Sequence, residues 1–119
     1  MGAIDDLFVT EDGLHVPVDF KTRGYPCKED THKSYQHQMD AYAFLLEKNG
    51  LKTANFAVLL FYYPKCFSGQ YSVEFHSHVI KVATSQKNAE KLFREAIGTL
   101  NGEMPPKPVD CQYCNWNQL

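Results

Sequence analysis

The residues best suited to chemistry stand in VDFKTRG, Val18 to Gly24, where one residue separates Asp19 from Lys21. Side chains alternate along a strand, so His15, Pro17, Asp19 and Lys21 share one face and Leu14, Val16, Val18 and Phe20 the other. Taken alone, the pair reads as a surface ion pair of small energetic value. A second carboxylate beside it changes the chemistry. Two aspartates hold a divalent cation through hard oxygen donors, while the lysine orients or deprotonates a water and neutralises charge on a phosphoryl group.

That second carboxylate comes from the preceding run. AIDDLFVT and LHVPVDFK are strand-like and are separated by Glu11-Asp12-Gly13, a hairpin signal. A three-residue loop with Gly13 left-handed pairs Thr10 with Leu14 and sets Asp5 across from Asp19. A two-residue Asp12-Gly13 loop sets Asp6 there instead. In either register the two carboxylates lie about 5 Å apart at Cβ, a spacing that favours a cation between them. The Leu14 to Phe20 face is the apolar one, so Asp19 and Lys21 are expected on the side open to water, a metal or a partner.

A helix is expected to carry the third component. In SYQHQMDAYAFLLEKNG, Tyr35, Met39, Tyr42 and Leu46 recur at helical spacing and form a buried stripe, with Asp30 or Thr31 as N-cap and Gly50 past the C-terminus. Gln38 falls inside that stripe, and an amide there needs hydrogen-bond partners. Reaching solvent at the stripe's edge is one solution; touching the activated water or a phosphate beside the Tyr42 hydroxyl is the other. FAVLLFYY is a continuous apolar run and predicts a central strand buried on both faces. YSVEFHSHVIKV alternates as a neighbouring strand. SQKNAEKLFREAIGTLNG predicts an amphipathic helix with Leu92, Phe93, Ala96, Ile97 and Leu100 on its apolar side. The element order predicts an α/β layer on a mixed sheet.

Secondary candidates are weaker. Arg23, Lys28, Lys33 and Lys65 lie in or near loops flanking the pair and could meet phosphates. Tyr62, Tyr63, Phe67 and Trp116 could stack on bases, although packing is the plainer role for each. His76 and His78 share a strand face and read as its wetter side. Cys111 and Cys114 form a C-x-x-C pair, read as thiols or zinc ligands; two thiolates do not close an iron–sulfur cubane, which takes four.

The chain has 119 residues, 44% hydrophobic and 22% charged, which predicts one globular domain. No apolar run approaches the roughly 18 residues of a membrane span. The opening residues lack a basic region and a signal-peptide core, so a cytoplasmic protein is expected. A net charge of -2 supplies no electrostatic case for nucleic-acid binding, unless bound divalent cations offset it locally.

Three stretches together, GAID (Gly2 to Asp5), VDFKT (Val18 to Thr22) and QMDAY (Gln38 to Tyr42), resemble the G-x-x-D, (D/E)-x-K and Q-x-x-x-Y motifs of the PD-(D/E)XK nuclease superfamily. The similarity is to its RecB-like branch, which includes CRISPR adaptation exonucleases and AddB-type helicase-nucleases. It runs from Gly2 to Cys114 in matching order. The resemblance implies a restriction-endonuclease-like core with a mixed sheet of four to five strands flanked by helices, occupying residues 1–104 ahead of a Pro-rich Cys-x-x-Cys tail, 105–119. It implies a metal-dependent DNA nuclease, with Asp5, Asp19 and the Phe20 main-chain carbonyl as ligands for Mg²⁺ or Mn²⁺. Lys21 is then the catalytic lysine, Gln38 and Tyr42 support the site, and Arg23, Lys28 and Lys33 meet DNA, single- or double-stranded. The resemblance favours Asp5 over Asp6, and hence the three-residue loop. Family members usually carry an upstream helix with a further ligand, and this chain opens at the first strand. A fragment, or a helicase or nuclease partner chain supplying that helix, is therefore expected. The cysteines depart from the iron–sulfur pattern, so no cluster is expected. A nuclease-fold module that binds DNA or a protein without cutting is the alternative.

Overall fold

In the computed structural model, which describes residues 3–116, the chain runs β1 (Asp6–Val9), β2 (His15–Thr22), a 3-10 helix (Thr31–Tyr35), α1 (Gln36–Lys48), β3 (Phe56–Phe67), β4 (Val73–Ala83), α2 (Gln86–Asn101) and α3 (Gln112–Trp116). The described strands form one four-stranded sheet ordered β1-β2-β3-β4. The outer pairs are antiparallel and β2 runs parallel to β3. A parallel pair needs a crossover, and the 3-10 helix with α1 provides it. The fold is α/β with a mixed sheet, consistent with a restriction-endonuclease-like core. Gly2 of the first motif lies outside the described residues.

The first hairpin sets the register of the site. Gly13 takes φ +77, the Thr10 N–H donates to Leu14 O at 2.9 Å, and the Gly13 N–H donates to Thr10 O at 2.9 Å. This is the three-residue loop. Asp6 consequently stands opposite Val18, and one step further places Asp5 beside Asp19. Gly50 ends α1 with φ +82, as its position predicts.

Three local expectations are revised, and one helix face is left open. Neither Asp30 nor Thr31 caps α1 with its side chain. A 3-10 turn precedes that helix, and Thr31 Oγ1 instead accepts from the Lys28 N–H and the Arg23 guanidinium, both at 2.8 Å. β3 is fully covered on one face only: Ala57, Leu59 and Phe61 are buried, whereas Phe56, Val58, Leu60 and Tyr62 are half-buried. Asp19 faces the covered side, because α1 packs over that face and buries it with Pro17. The apolar side of α2 stays largely open, with Leu100 83% exposed, since only the first turns of α2 reach α1.

The core lies between α1 and the sheet and contains Met39, Tyr42, Ala57, Leu59, Phe61 and Val82, flanked by Tyr35 and Ile80. α2 is fastened to α1 by Phe44 and Phe93, whose ring centroids are 5.5 Å apart, and by buried Asp40, whose Oδ1 accepts the Ser85 N–H at 2.7 Å. The radius of gyration is 18.5 Å. A compact chain of this length would have about 13–14 Å. The far turns of α2, the β3–β4 ribbon and the segment after α2 are correspondingly open, with Leu100, Tyr71 and Val109 exposed. Among the described residues no helix is long and apolar enough to cross a membrane.

Candidate active site

β2 supplies the central pair. Asp19 is 2% exposed, and its Oδ2 lies 2.5 Å from the Lys21 ammonium. No hydrogen bond reaches that oxygen among the described residues, so the ion pair alone balances its charge. Alternation along β2 puts both groups on the α1 side, where a turn of helix brings Gln38 and Tyr42 over them.

Gln38 is half-buried and fully engaged. Its Oε1 accepts from Lys21 Nζ at 3.1 Å, and its Nε2 donates to Asp19 Oδ1 at 3.1 Å and to Tyr42 Oη at 2.8 Å. The amide orientation is thereby determined, since only Nε2 can donate and only Oε1 can meet an ammonium. Tyr42 Oη also approaches the Ala3 carbonyl at 2.7 Å and Asp19 Oδ1 at 3.5 Å. A phenol has one proton, and the shorter contact takes it; the 3.5 Å approach to Asp19 is then no hydrogen bond. Asp19, Lys21 and Gln38 form a closed ring of polar contacts, which Tyr42 ties to the segment just before β1.

Asp5 comes to the same edge. Its Oδ2 accepts the Phe20 N–H at 2.8 Å. The N–H and C=O of one strand residue point to the same edge, so the Phe20 carbonyl also lies on the β1 side, beyond the Asp6–Val18 end of the ladder. Asp6 occupies the other face, opposite Val18, and its Oδ1 accepts the Leu7 N–H at 2.8 Å. Among the described residues no cluster of three or more His, Cys, Asp or Glu side chains is arranged to hold a metal. The donors at hand are two carboxylates and a main-chain carbonyl. Hard oxygens of this kind, with Asp19 Oδ2 buried and met only by the Lys21 ammonium among the described residues, fit a divalent cation such as Mg²⁺ or Mn²⁺.

The flanking cations gather beside this centre. Arg23, Lys28 and Lys33 line one cavity of about 470 Å³ with Tyr25, Asp30 and Tyr35. Tyr35 is the common wall, because Lys21 Nζ stands 4.8 Å from its ring centroid. Lys65 does not line the cavity and pairs with Glu74 at 3.1 Å. His76 and His78 are exposed on β4, opposite Tyr63 and Phe61, and Tyr63 stacks against His76 at 5.1 Å. Tyr62 packs with Phe20 at 6.5 Å, while Phe67 and Trp116 are exposed. Cys111 is half-buried ahead of α3; the Cys114 side chain lies outside the described residues.

Three contributors escape a reading by motif. The Ala3 carbonyl carries no sequence signal. Tyr35 shows only as a core position. Asp40 could have been found from its place between Met39 and Ala43 on the buried stripe, four residues after Gln36, whose amide donates to it at 2.9 Å.

No curated protein and no solved structure is significantly similar to this chain. The family model of the PD-(D/E)XK nuclease superfamily, however, matches residues 1–119. That match covers Asp5, the strand that carries Asp19 and Lys21 and the helix that carries Gln38 and Tyr42, and the chain belongs to the PD-(D/E)XK nuclease superfamily.

Proposed function

We propose that the chain is a metal-dependent deoxyribonuclease of RecB-like type, hydrolysing phosphodiester bonds in DNA repair, recombination or CRISPR-type processing. One observation carries the reading: the buried Asp19 carboxylate is enclosed by Lys21 and Gln38, with Asp5 at the adjoining strand edge. Asp5, Asp19 and the Phe20 carbonyl would hold the ion. Bound there, Mg²⁺ or Mn²⁺ supplies Lewis-acid stabilisation of the phosphoryl charge and a more acidic water. Lys21 carries three N–H donors. Gln38 Oε1 takes one and the ion pair with Asp19 holds the ammonium in place, which leaves donor capacity for a substrate phosphate oxygen. Gln38 keeps the ammonium and the carboxylate in register, and Tyr42 fixes Gln38. Preorganised donors of this kind need no rearrangement as charge builds on phosphorus.

A second reading is a module that binds DNA without cutting. The observation in its favour is the direct Lys21 contact on Asp19 Oδ2, the oxygen a cation would need. Labelled single- and double-stranded DNA incubated with Mn²⁺ separates the two. Cutting by the wild type that is lost in folded Asp19→Asn and Lys21→Ala supports the nuclease; binding without cutting supports the second reading.

A further inference from the structure

The cavity beside Lys21 has a composition that the catalytic ring does not explain. Three cations, Arg23, Lys28 and Lys33, line it against one carboxylate, Asp30, in a chain whose net charge is -2. Arg23 is held in place: its Nη1 donates to Thr31 Oγ1 at 2.8 Å, and its guanidinium lies 4.6 Å from the Tyr25 ring centroid and 5.8 Å from that of Phe61. A guanidinium has five N–H donors in a planar fork that fits phosphate. Thr31 uses one. Tyr25 is 60% exposed, which leaves an aromatic surface on the cavity wall for a base.

Size limits the occupant. A cavity of about 470 Å³ falls within the range of about 300–1,000 Å³ for small-molecule sites and suits one nucleotide better than a base pair. Its position limits it further, since the Tyr35 ring borders both the cavity and the Lys21 ammonium. Resting on the nuclease reading above, we infer that the cavity is a subsite for one unpaired nucleotide of the DNA strand, next to the bond that is cut. Arg23 and the two lysines hold its phosphate, and Tyr25 carries its base. The substrate class is therefore single-stranded DNA, or a frayed end, in preference to intact duplex.

The test uses the full chain in EDTA, so that binding is read without cleavage. Fluorescence anisotropy compares a short labelled single-stranded oligonucleotide with a blunt duplex of the same sequence. The single strand is expected to bind at least about tenfold more tightly. Tyr25→Ala should weaken single-strand binding about five- to a hundredfold, as loss of a base-stacking ring does, and leave duplex binding unchanged. Tyr25→Phe should restore it. Arg23→Lys, which keeps the charge and loses the fork, should bind between wild type and Arg23→Gln, with melting curves confirming that each variant folds. Duplex bound as tightly as single strand, or Tyr25→Ala binding like wild type, overturns the subsite. If Mn²⁺-dependent cutting is seen while Tyr25→Ala is silent in binding, the subsite falls alone. If no cutting is seen and binding still depends on Tyr25, the subsite stands and the nuclease reading falls.

Discussion

Replacing Lys21 by methionine isolates the interaction on which the site depends. At 2.5 Å and an effective dielectric of about 20, the attraction between Lys21 and Asp19 is on the order of 6–7 kcal/mol. Desolvation of Asp19, with its side chain 3% exposed, offsets much of this, so the pair adds little net stability. Breaking it is another matter, because a buried charge then has no counterion. That costs about 3–5 kcal/mol, and the 21% exposure of Lys21 places the expected loss near 3. Against a typical total of about 5–15 kcal/mol the effect is readily measured by urea unfolding. Asp19→Asn removes the charge that needs balancing, so adding Lys21→Met to it should cost under about 1 kcal/mol. The double-mutant cycle should return a coupling of about 2–3 kcal/mol. Mg²⁺ should raise the melting temperature of Lys21→Met more than that of the double variant, since a cation can replace the lost ammonium only where the carboxylate remains. A coupling below about 0.5 kcal/mol, or equal Mg²⁺ responses, would refute both the electrostatic account of Asp19 and its role as a ligand.

Other expectations are as direct. Asp40→Ala leaves the Ser85 N–H without its acceptor and the Gln36 amide short of one, and should cost about 2–4 kcal/mol with faster hydrogen exchange at the start of α2. Gly13→Ala meets no atom within 4 Å, so its cost is the left-handed backbone alone, about 1–2 kcal/mol by thermal unfolding, and Gly13→Asn should cost less. Arg23 hydrogen-bonds the Tyr25 phenol and holds its pKa below the usual tyrosine range, so Tyr25 should ionise at lower pH in wild type than in Arg23→Gln, read by NMR titration of labelled tyrosine. A depressed acid pKa favours the folded state only at alkaline pH. That contribution is full above the unfolded value and is lost as pH falls through the folded one, so neutral-pH stability should not register it.

Much of the candidate site was legible because its parts obey short-range periodicities. Alternation alone places Asp19 and Lys21 together on β2, helical spacing places Gln38 one turn before Tyr42, and the hairpin loop narrows the partner of Asp19 to Asp5 or Asp6, of which the left-handed Gly13 of the structure selects Asp5. These are local rules, decided within a hairpin or a turn of helix. Which face of β2 is covered is not local. Val16 and Val18 are buried as their face predicts, yet α1 also covers the Asp19 side, which reads as the open one, because burial depends on where a distant helix docks. The same holds for Asp40, whose value lies in a contact with Ser85 across 45 residues of chain, and for the convergence of Arg23, Lys28 and Lys33 on one cavity beside Tyr35. Residue identities determined which groups could react and which could share a face. Tertiary packing decided which were desolvated, because the electrostatic worth of a charge depends on the medium that the rest of the chain builds around it.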